Sequence, residues 1–234
     1  LKYGVSLVLL GLIQIALALR AGALGWLVAW SGVSWLLAGC SYAFLGPKPF
    51  GKRADGTLAG GNVVLLLPFL LLTWLLWHLQ IALTREPHHV EVVPGIWLGR
   101  RCYAHELPPN IRTVVDLTAE FAETKTVRAG RSYLCLPTLD ASIPSQQAFG
   151  ALIEDIIRCE APVYIHCALG HGRSAMVAVA VLAAQGTSDT PEEAEKRLKQ
   201  ARSGIGINAA QRNLLNQWWA ARHTPIPEQK GQEI

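Results

Sequence analysis

The chain has 234 residues, a formal net charge of +4, and 51% hydrophobic against only 16% charged residues. That composition excludes an intrinsically disordered chain, which combines low hydrophobicity with high net charge, and the sequence contains no nucleic-acid-binding motif. The five cysteines, Cys40, Cys102, Cys135, Cys159 and Cys167, show no paired spacing and suggest no disulfide framework.

The hydrophobic excess comes first in the chain. Residues 3–19, 21–46 and 57–83 carry no charged side chain, and uncharged apolar runs of about 18 residues read as membrane-spanning helices. The pattern predicts a membrane region over residues 1–84 with three spans, at about 3–19, 22–45 and 61–83. Trp26, Trp30, Trp35, Tyr42, Trp74 and Trp77 group partly where interfacial aromatics sit, the central ones reading as helix-packing residues. Pro68 is expected to kink the third helix, which spanning helices tolerate. A cleaved signal peptide is disfavoured because two further long apolar runs follow the first. Basic residues divide evenly, Lys2, Lys48, Lys52 and Arg53 on one side and Arg20, Arg85, Arg100 and Arg101 on the other, so they do not orient the chain. A chain opening on Leu1 leaves room for a further segment ahead of it.

A linker over residues 85–89 leads to an α/β domain at 90–222. Strands are predicted near 90–93, 96–99, 113–117, 133–136 and 163–166, and helices near 145–158, 173–185, 191–202 and 209–222. This pattern describes a central, mostly parallel sheet flanked by helices. Thr190-Pro191-Glu192-Glu193 reads as a capping box with proline at the first helical position, and Asn208 as the cap of the last helix. The polar tail, 223–234, reads as disordered. His88, His89 and His105 have no metal-ligand spacing with cysteines or carboxylates, so neither a metal nor a cofactor is indicated.

Chemistry concentrates in His166-Cys167-Ala168-Leu169-Gly170-His171-Gly172-Arg173-Ser174, which lies between a β-branched stretch and an alanine- and valine-rich helix. Gly170 and Gly172 let the backbone curl so that successive N–H groups of residues 168–173 face one concavity, and the helix start adds free donors and the positive end of its dipole. That is a cradle for a phosphate dianion. Arg173 offers a planar donor fork for two phosphate oxygens. The same positive field favours a thiolate at Cys167, and Ser174 is placed to donate its hydroxyl to that sulfur. A phosphocysteine route also needs an acid that later serves as a base. Asp116, at a strand end, reads as a structural carboxylate. Asp140, in a loop bounded by Pro137 and Pro144, is free to swing over the site.

The segment resembles, residue for residue, the His-Cys-x5-Arg-Ser pattern of the cysteine-dependent protein tyrosine phosphatases, and its short form is similar to their dual-specificity branch. The resemblance runs from Pro94-Gly95-Ile96-Trp97-Leu98-Gly99 to Asn208-Ala209-Ala210-Gln211-Arg212 and leaves the apolar region unmatched. It extends to bacterial membrane-attached members and, distantly, to the mitochondrial phosphatidylglycerophosphate phosphatase. It implies a dual-specificity phosphatase-like fold, the acid role at Asp140, and supporting places for His166, Asn208 and Gln211. The implied function is hydrolysis of phosphotyrosine, phosphoserine or phosphothreonine in proteins. The alternatives are a lipid-phosphate phosphatase and an inactive phosphate-binding adaptor. Relatives acting on inositides carry lysines where this chain has Ala168 and His171, so highly phosphorylated inositides are disfavoured. The implied partners are a phosphorylated protein or lipid head group and the bilayer. A catalytic thiolate persists in a reducing compartment, which places the domain in the cytoplasm at a bacterial inner membrane.

Overall fold

The computed structural model describes residues 2–223, so residues 224–234 of the predicted tail lie outside the described residues. The apolar region folds into α1 (Lys2–Ala18), α2 (Gly25–Cys40), extended by one π-helical turn at Ser41–Leu45, and α3 (Gly60–Leu83). α1 and α2 form an antiparallel hairpin whose seam is made of glycines seven residues apart. A Cβ placed on Gly4 would lie 3.0 Å from the Gly39 carbonyl oxygen, one on Gly11 2.6 Å from that of Gly32, and one on Gly25 2.5 Å from that of Ala18. Small residues on one seam let the two backbones approach closely.

Pro68 sits inside α3 and supplies no N–H to the Val64 carbonyl four residues back. α2 repairs the gap. Trp30 Nε1 donates to the Val64 carbonyl at 3.0 Å, and the Phe69 N–H donates to Ser34 Oγ at 3.2 Å. α3 therefore continues through the proline to Leu83.

The α/β part contains β1 (His89–Val93), β2 (Ile96–Arg100), β3 (Thr113–Thr118), α4 (Lys125–Arg128), β4 (Ser132–Thr138), α5 (Gln146–Arg158), β5 (Val163–Cys167), α6 (Arg173–Ala184), α7 (Pro191–Ala201) and α8 (Ala209–His223). The sheet order is β1-β2-β5-β3-β4, with β1 antiparallel to β2 and the other pairs parallel. α6 is buried from Arg173 to Ala183, because after its first residue it presents only small and apolar side chains to the sheet and neighbouring helices. α5 instead buries one stripe, Phe149, Leu152, Ile153 and Ile156, at helical spacing. The expected strands and helices are present to within three residues at either end. α4 was not anticipated, since four residues are too short to show a period.

The apolar helices pack against the segments that follow β3 and β4. Phe50, Leu66, Phe69 and Leu70 cluster with Ala119 and Leu139 of the α/β part. The α2–α3 loop also sends Lys52 inward, where its ammonium donates to Asp116 Oδ2 at 2.7 Å, to Thr118 Oγ1 at 3.1 Å, and to the Phe121 carbonyl. The side chains of Lys52 and Asp116 are 0% exposed. Nearby, the Glu123 N–H donates to the Gly56 carbonyl at 2.8 Å. Burial opposes ionisation of Asp116, but the charges of Lys52 and His166 and the hydrogen bonds from Lys52 and Tyr133 outweigh it and hold the carboxyl well below its usual range.

Lys52→Met leaves Asp116 buried without its cation and is expected to destabilise the full chain by about 3–5 kcal/mol, read as a fall in Tm in detergent. A lowered folded-state pKa means that the pair's contribution is complete above the ordinary aspartate value of about 3.9 and fades on acidification below it. An unchanged Tm at pH 7 would show that the pair does not hold the two parts together.

Candidate active site

β5 ends at Cys167 and α6 begins at Arg173, so residues 168–172 turn at the C-terminal edge of the parallel strands, where open α/β sheets expose ligand crevices. The Gly170 N–H points at Cys167 Sγ from 3.2 Å, and Ser174 Oγ lies 3.3 Å from the same sulfur. Gly170 has φ +81°, and a Cβ there would fall 2.5 Å from the Gly99 carbonyl carbon, so both conformation and space demand glycine. Gly172, expected to share that duty, has φ −110° and needs no special freedom. The curl rests on Gly170.

Arg173 is 1% exposed. Its terminal nitrogens do not stand free as a fork for an anion. Glu120 binds both, with Nη1 to Oε2 at 3.0 Å and Nη2 to Oε1 at 2.8 Å, and Nη1 also donates to the Thr138 carbonyl at 2.7 Å. The Nε–H is buried and has no hydrogen-bond partner among the described residues, which leaves a donor for an oxyanion. Burial works against the guanidinium charge, but Glu120, Cys167 and Asp140 outweigh it and raise the Arg173 pKa further.

Asp140 Oδ1 lies 3.3 Å from Arg173 Nη2, and the Asp140 side chain is 75% exposed. The next residue, Ala141, has φ +55°, a left-handed conformation that costs a non-glycine residue about 1 kcal/mol or more. α8 holds it there. Asn208 Nδ2 donates to the Ala141 carbonyl at 2.9 Å and Gln211 Nε2 to that of Ser142 at 3.3 Å. The same two side chains cap α8 reciprocally, with Asn208 Oδ1 accepting from the Gln211 N–H at 3.0 Å and Gln211 Oε1 from the Asn208 N–H at 3.1 Å. Both therefore act on the Asp140 loop.

The remaining expected positions have specific surroundings. The Ala168 carbonyl accepts from the Arg101 N–H at 3.1 Å and from Trp77 Nε1 at 2.9 Å. His171 Nε2 lies 2.6 Å from Glu86 Oε2, which also binds Arg202 at 2.9 Å, and Arg202 reaches the Leu169 carbonyl at 3.2 Å. Burial raises the Glu86 pKa, but the bond from His171 and the charges of His171 and Arg202 lower it overall. His166 stacks on Tyr164, with Nδ1 3.4 Å from the Cys167 carbonyl and Nε2 3.6 Å from Glu123. Asp116, Glu123 and His166 bring ligand atoms within 4.8 Å of one another. Lys52, 2.7 Å from Asp116, already supplies a cation to that group, so its donor set suits an ammonium rather than a divalent ion.

Glu120 was not anticipated from sequence, and Trp74 and Trp77, expected only as interfacial or helix-packing aromatics, link α3 to the site. Trp74 Nε1 donates to the Glu120 carbonyl at 2.8 Å. A cavity of about 230 Å³ beside Arg173 is lined by Asp140, Leu139 and Phe121 on one side and by Tyr42, Phe50 and α3 residues including Leu76 on the other. These contacts join segments 46–91 residues apart in sequence, so local patterning contains no sign of them.

Residues 102–187 match the family described as "Tc-R-P: Polymorphic toxin system, DSP-PTPase phosphatase". No curated protein matches the chain. Among solved structures, the active form of Tk-PTP is similar at 25% identity and a TM-score of 0.50, over 56% of this chain and 96% of that one. PTPMT1 in complex with PI(5)P is similar in fold at 23% identity and a TM-score of 0.52, over 58% and 99%. The human tyrosine phosphatase-like serine/threonine/tyrosine-interacting protein gives 20% and 0.51, over 59% and 100%.

The surroundings of the cysteines predict selective alkylation. Burial raises the Cys102 thiol to about 11 and the Cys135 thiol to about 12, leaving almost no thiolate at neutral pH. Brief treatment of the full chain with iodoacetate at pH 7 is expected to modify Cys167 and spare Cys102 and Cys135, with inorganic phosphate slowing the reaction. Peptide mass spectrometry checks this. Equal modification of all three would remove the case for a distinct thiol at Cys167.

Proposed function

We propose that this chain, whose α/β part belongs to the dual-specificity branch of the cysteine-dependent protein tyrosine phosphatase superfamily and is a phosphoric monoester hydrolase, acts at a membrane through a phosphocysteine intermediate. The observation that carries the mechanism is the convergence on Cys167 Sγ of the Gly170 N–H and the Ser174 hydroxyl, beside buried Arg173.

In this reading the Cys167 thiolate attacks phosphorus, the bond to the leaving oxygen breaks, and Asp140 gives that oxygen its proton. Water then attacks the phosphocysteine, Asp140 takes a proton from it, and the sulfur leaves as thiolate with the Ser174 hydroxyl hydrogen-bonded to it. Backbone N–H groups and Arg173 stabilise the charge spread over the transferred group. Glu120 positions Arg173, and Asn208 and Gln211 position the acid loop. All five cysteines are free, which suits a reducing compartment.

Membrane attachment is supported by two helices, Gly22–Leu45 and Gly60–Leu83, that are long and apolar enough for a bilayer, with 28% and 22% of their apolar windows buried. Large exposed apolar surfaces mark contact with a membrane or partner. Phosphoproteins are the substrates that the resemblance implies. One observation favours lipid phosphomonoesters as a second reading. The cavity beside Arg173 is walled by apolar α3 and Tyr42, which suits a head group whose remainder is hydrocarbon. A phosphate-binding adaptor would have no use for an acid held 3.3 Å from Arg173.

The test is phosphate release by the full chain in mixed micelles from aryl phosphates, phosphopeptides, phosphatidylglycerophosphate and phosphatidic acid. Cys167→Ser is expected to abolish release from every substrate. Asp140→Asn is expected to slow esters with poor leaving groups by about 10²–10⁴-fold and those with good leaving groups far less; equal losses would remove Asp140 from the acid role. Phosphate binding without release would favour the adaptor.

A further inference from the structure

α3 has two unlike faces. Leu66, Leu70 and Trp77 are buried toward the rest of the chain, while Leu65, Leu72, Leu75, Leu79 and Leu83 are exposed on the other side. With 24 residues it is about 36 Å long, enough to cross a bilayer. Its surroundings do not fit a crossing helix.

The segments entering and leaving α3 are bonded to each other. Lys52 and Gly56 precede α3, whereas Asp116, Thr118, Phe121 and Glu123, to which they bond, follow it. A helix that crossed once would put these groups on opposite sides of about 30 Å of hydrocarbon. Phe69 and Trp74, on either side of the helix midpoint, meet the α/β part as well: Phe69 shares its core with Ala119 and Leu139, and Trp74 donates to the Glu120 carbonyl. In a crossing pose that midpoint would lie at the bilayer centre, with the buried Glu120–Arg173 pair next to Trp74, where charged groups are costly.

We propose that α3 lies in the plane of one leaflet, its leucine face in hydrocarbon and its other face on the α/β part, in place of the crossing expected from hydropathy. The occupant of the leucine face is lipid. Leu65, Leu72, Leu75, Leu79 and Leu83 fill the middle of that face, and the exposed polar side chains of His78 and Gln80 stand on either side of it, the pattern of a helix lying at a lipid boundary. The backbone groups freed by Pro68 are also satisfied internally, by Trp30 and Ser34, as a hydrocarbon environment requires. Such an arrangement is an interfacial helix rather than a span. The proposal rests on the membrane attachment proposed above, but not on the phosphatase mechanism.

The test is sidedness. Ala54→Cys, in the exposed α2–α3 loop, and Lys196→Cys, on exposed α7, are expected to react with an impermeant maleimide from the same face of sealed membrane vesicles. Reaction from opposite faces would show that α3 crosses and overturn the proposal. In the unmodified chain, trypsin added to one face is expected to cut at both Arg53 and Lys196, and protection of one while the other is cut would overturn it without any variant. The full chain is expected to float with phosphatidylcholine vesicles. A soluble dimer without lipid would instead assign the leucine face to a second copy. A chain that neither floats nor dimerises would end the membrane attachment itself, an outcome distinct from crossing.

Discussion

The ammonium of Lys52 is the interaction on which the remaining architecture depends. A charge taken fully out of water is stable only with partners and hydrogen bonds around it. Asp116, Thr118 and the Phe121 carbonyl supply them. The cost of burying this pair makes it a strict positional device. It fixes the segment after β3, and that segment contains Glu120, which grips Arg173, and Phe121, which walls the cavity. A loop of the apolar region is thus coupled through one short stretch of backbone to the guanidinium that begins α6.

α3 acts on the cradle by a second route. Trp77 binds the Ala168 carbonyl, and Trp74 binds the carbonyl of Glu120. Trp77 packs its ring against Phe121 and Tyr103 with the Arg101 guanidinium over its face, Trp74 packs on the cluster of Phe69 and Leu139, and each uses its one donor on backbone. The apolar helices are therefore part of the site's scaffold. The seating of α3 and the geometry around Arg173 are mechanically linked, so a site formed from the α/β part alone lacks two donors and a cation.

Much of the fold was legible because it is written in local periods. β5, the cradle and α6 follow one another without a gap, so the motif and its strand-turn-helix context could be seen together. α5 shows its buried stripe at helical spacing, and Asn208 announced the start of α8. The site was only half legible. Cys167, Arg173 and Ser174 lie within eight residues of one another, but Glu120 is recognisable only once β3 and the Asp140 loop are seen to converge on α6. Asn208 and Gln211 could be picked out, yet their grip on Ala141 and Ser142 depends on where the loop travels. Hydropathy alone does not separate the two faces of α3, because it counts apolar side chains without asking what they face. Phe69 and Trp74 are apolar toward protein, whereas Leu72 and Leu79 are apolar toward the outside.

The glycine seam of the α1–α2 hairpin has a consequence for how this chain tolerates changes in length. Gly4, Gly11 and Ala18 meet Gly39, Gly32 and Gly25 as mirror positions about the connecting turn. Residues added within that turn leave every pair on the seam, because they only lengthen the link. A single residue inserted in the middle of α1 rotates everything on one side of it by about 100° relative to the other, turning Gly4 away and bringing a larger side chain against the Gly39 backbone. Insertions and deletions in this region are therefore restricted by register rather than by total length, and the permissive point is the turn at Gly22.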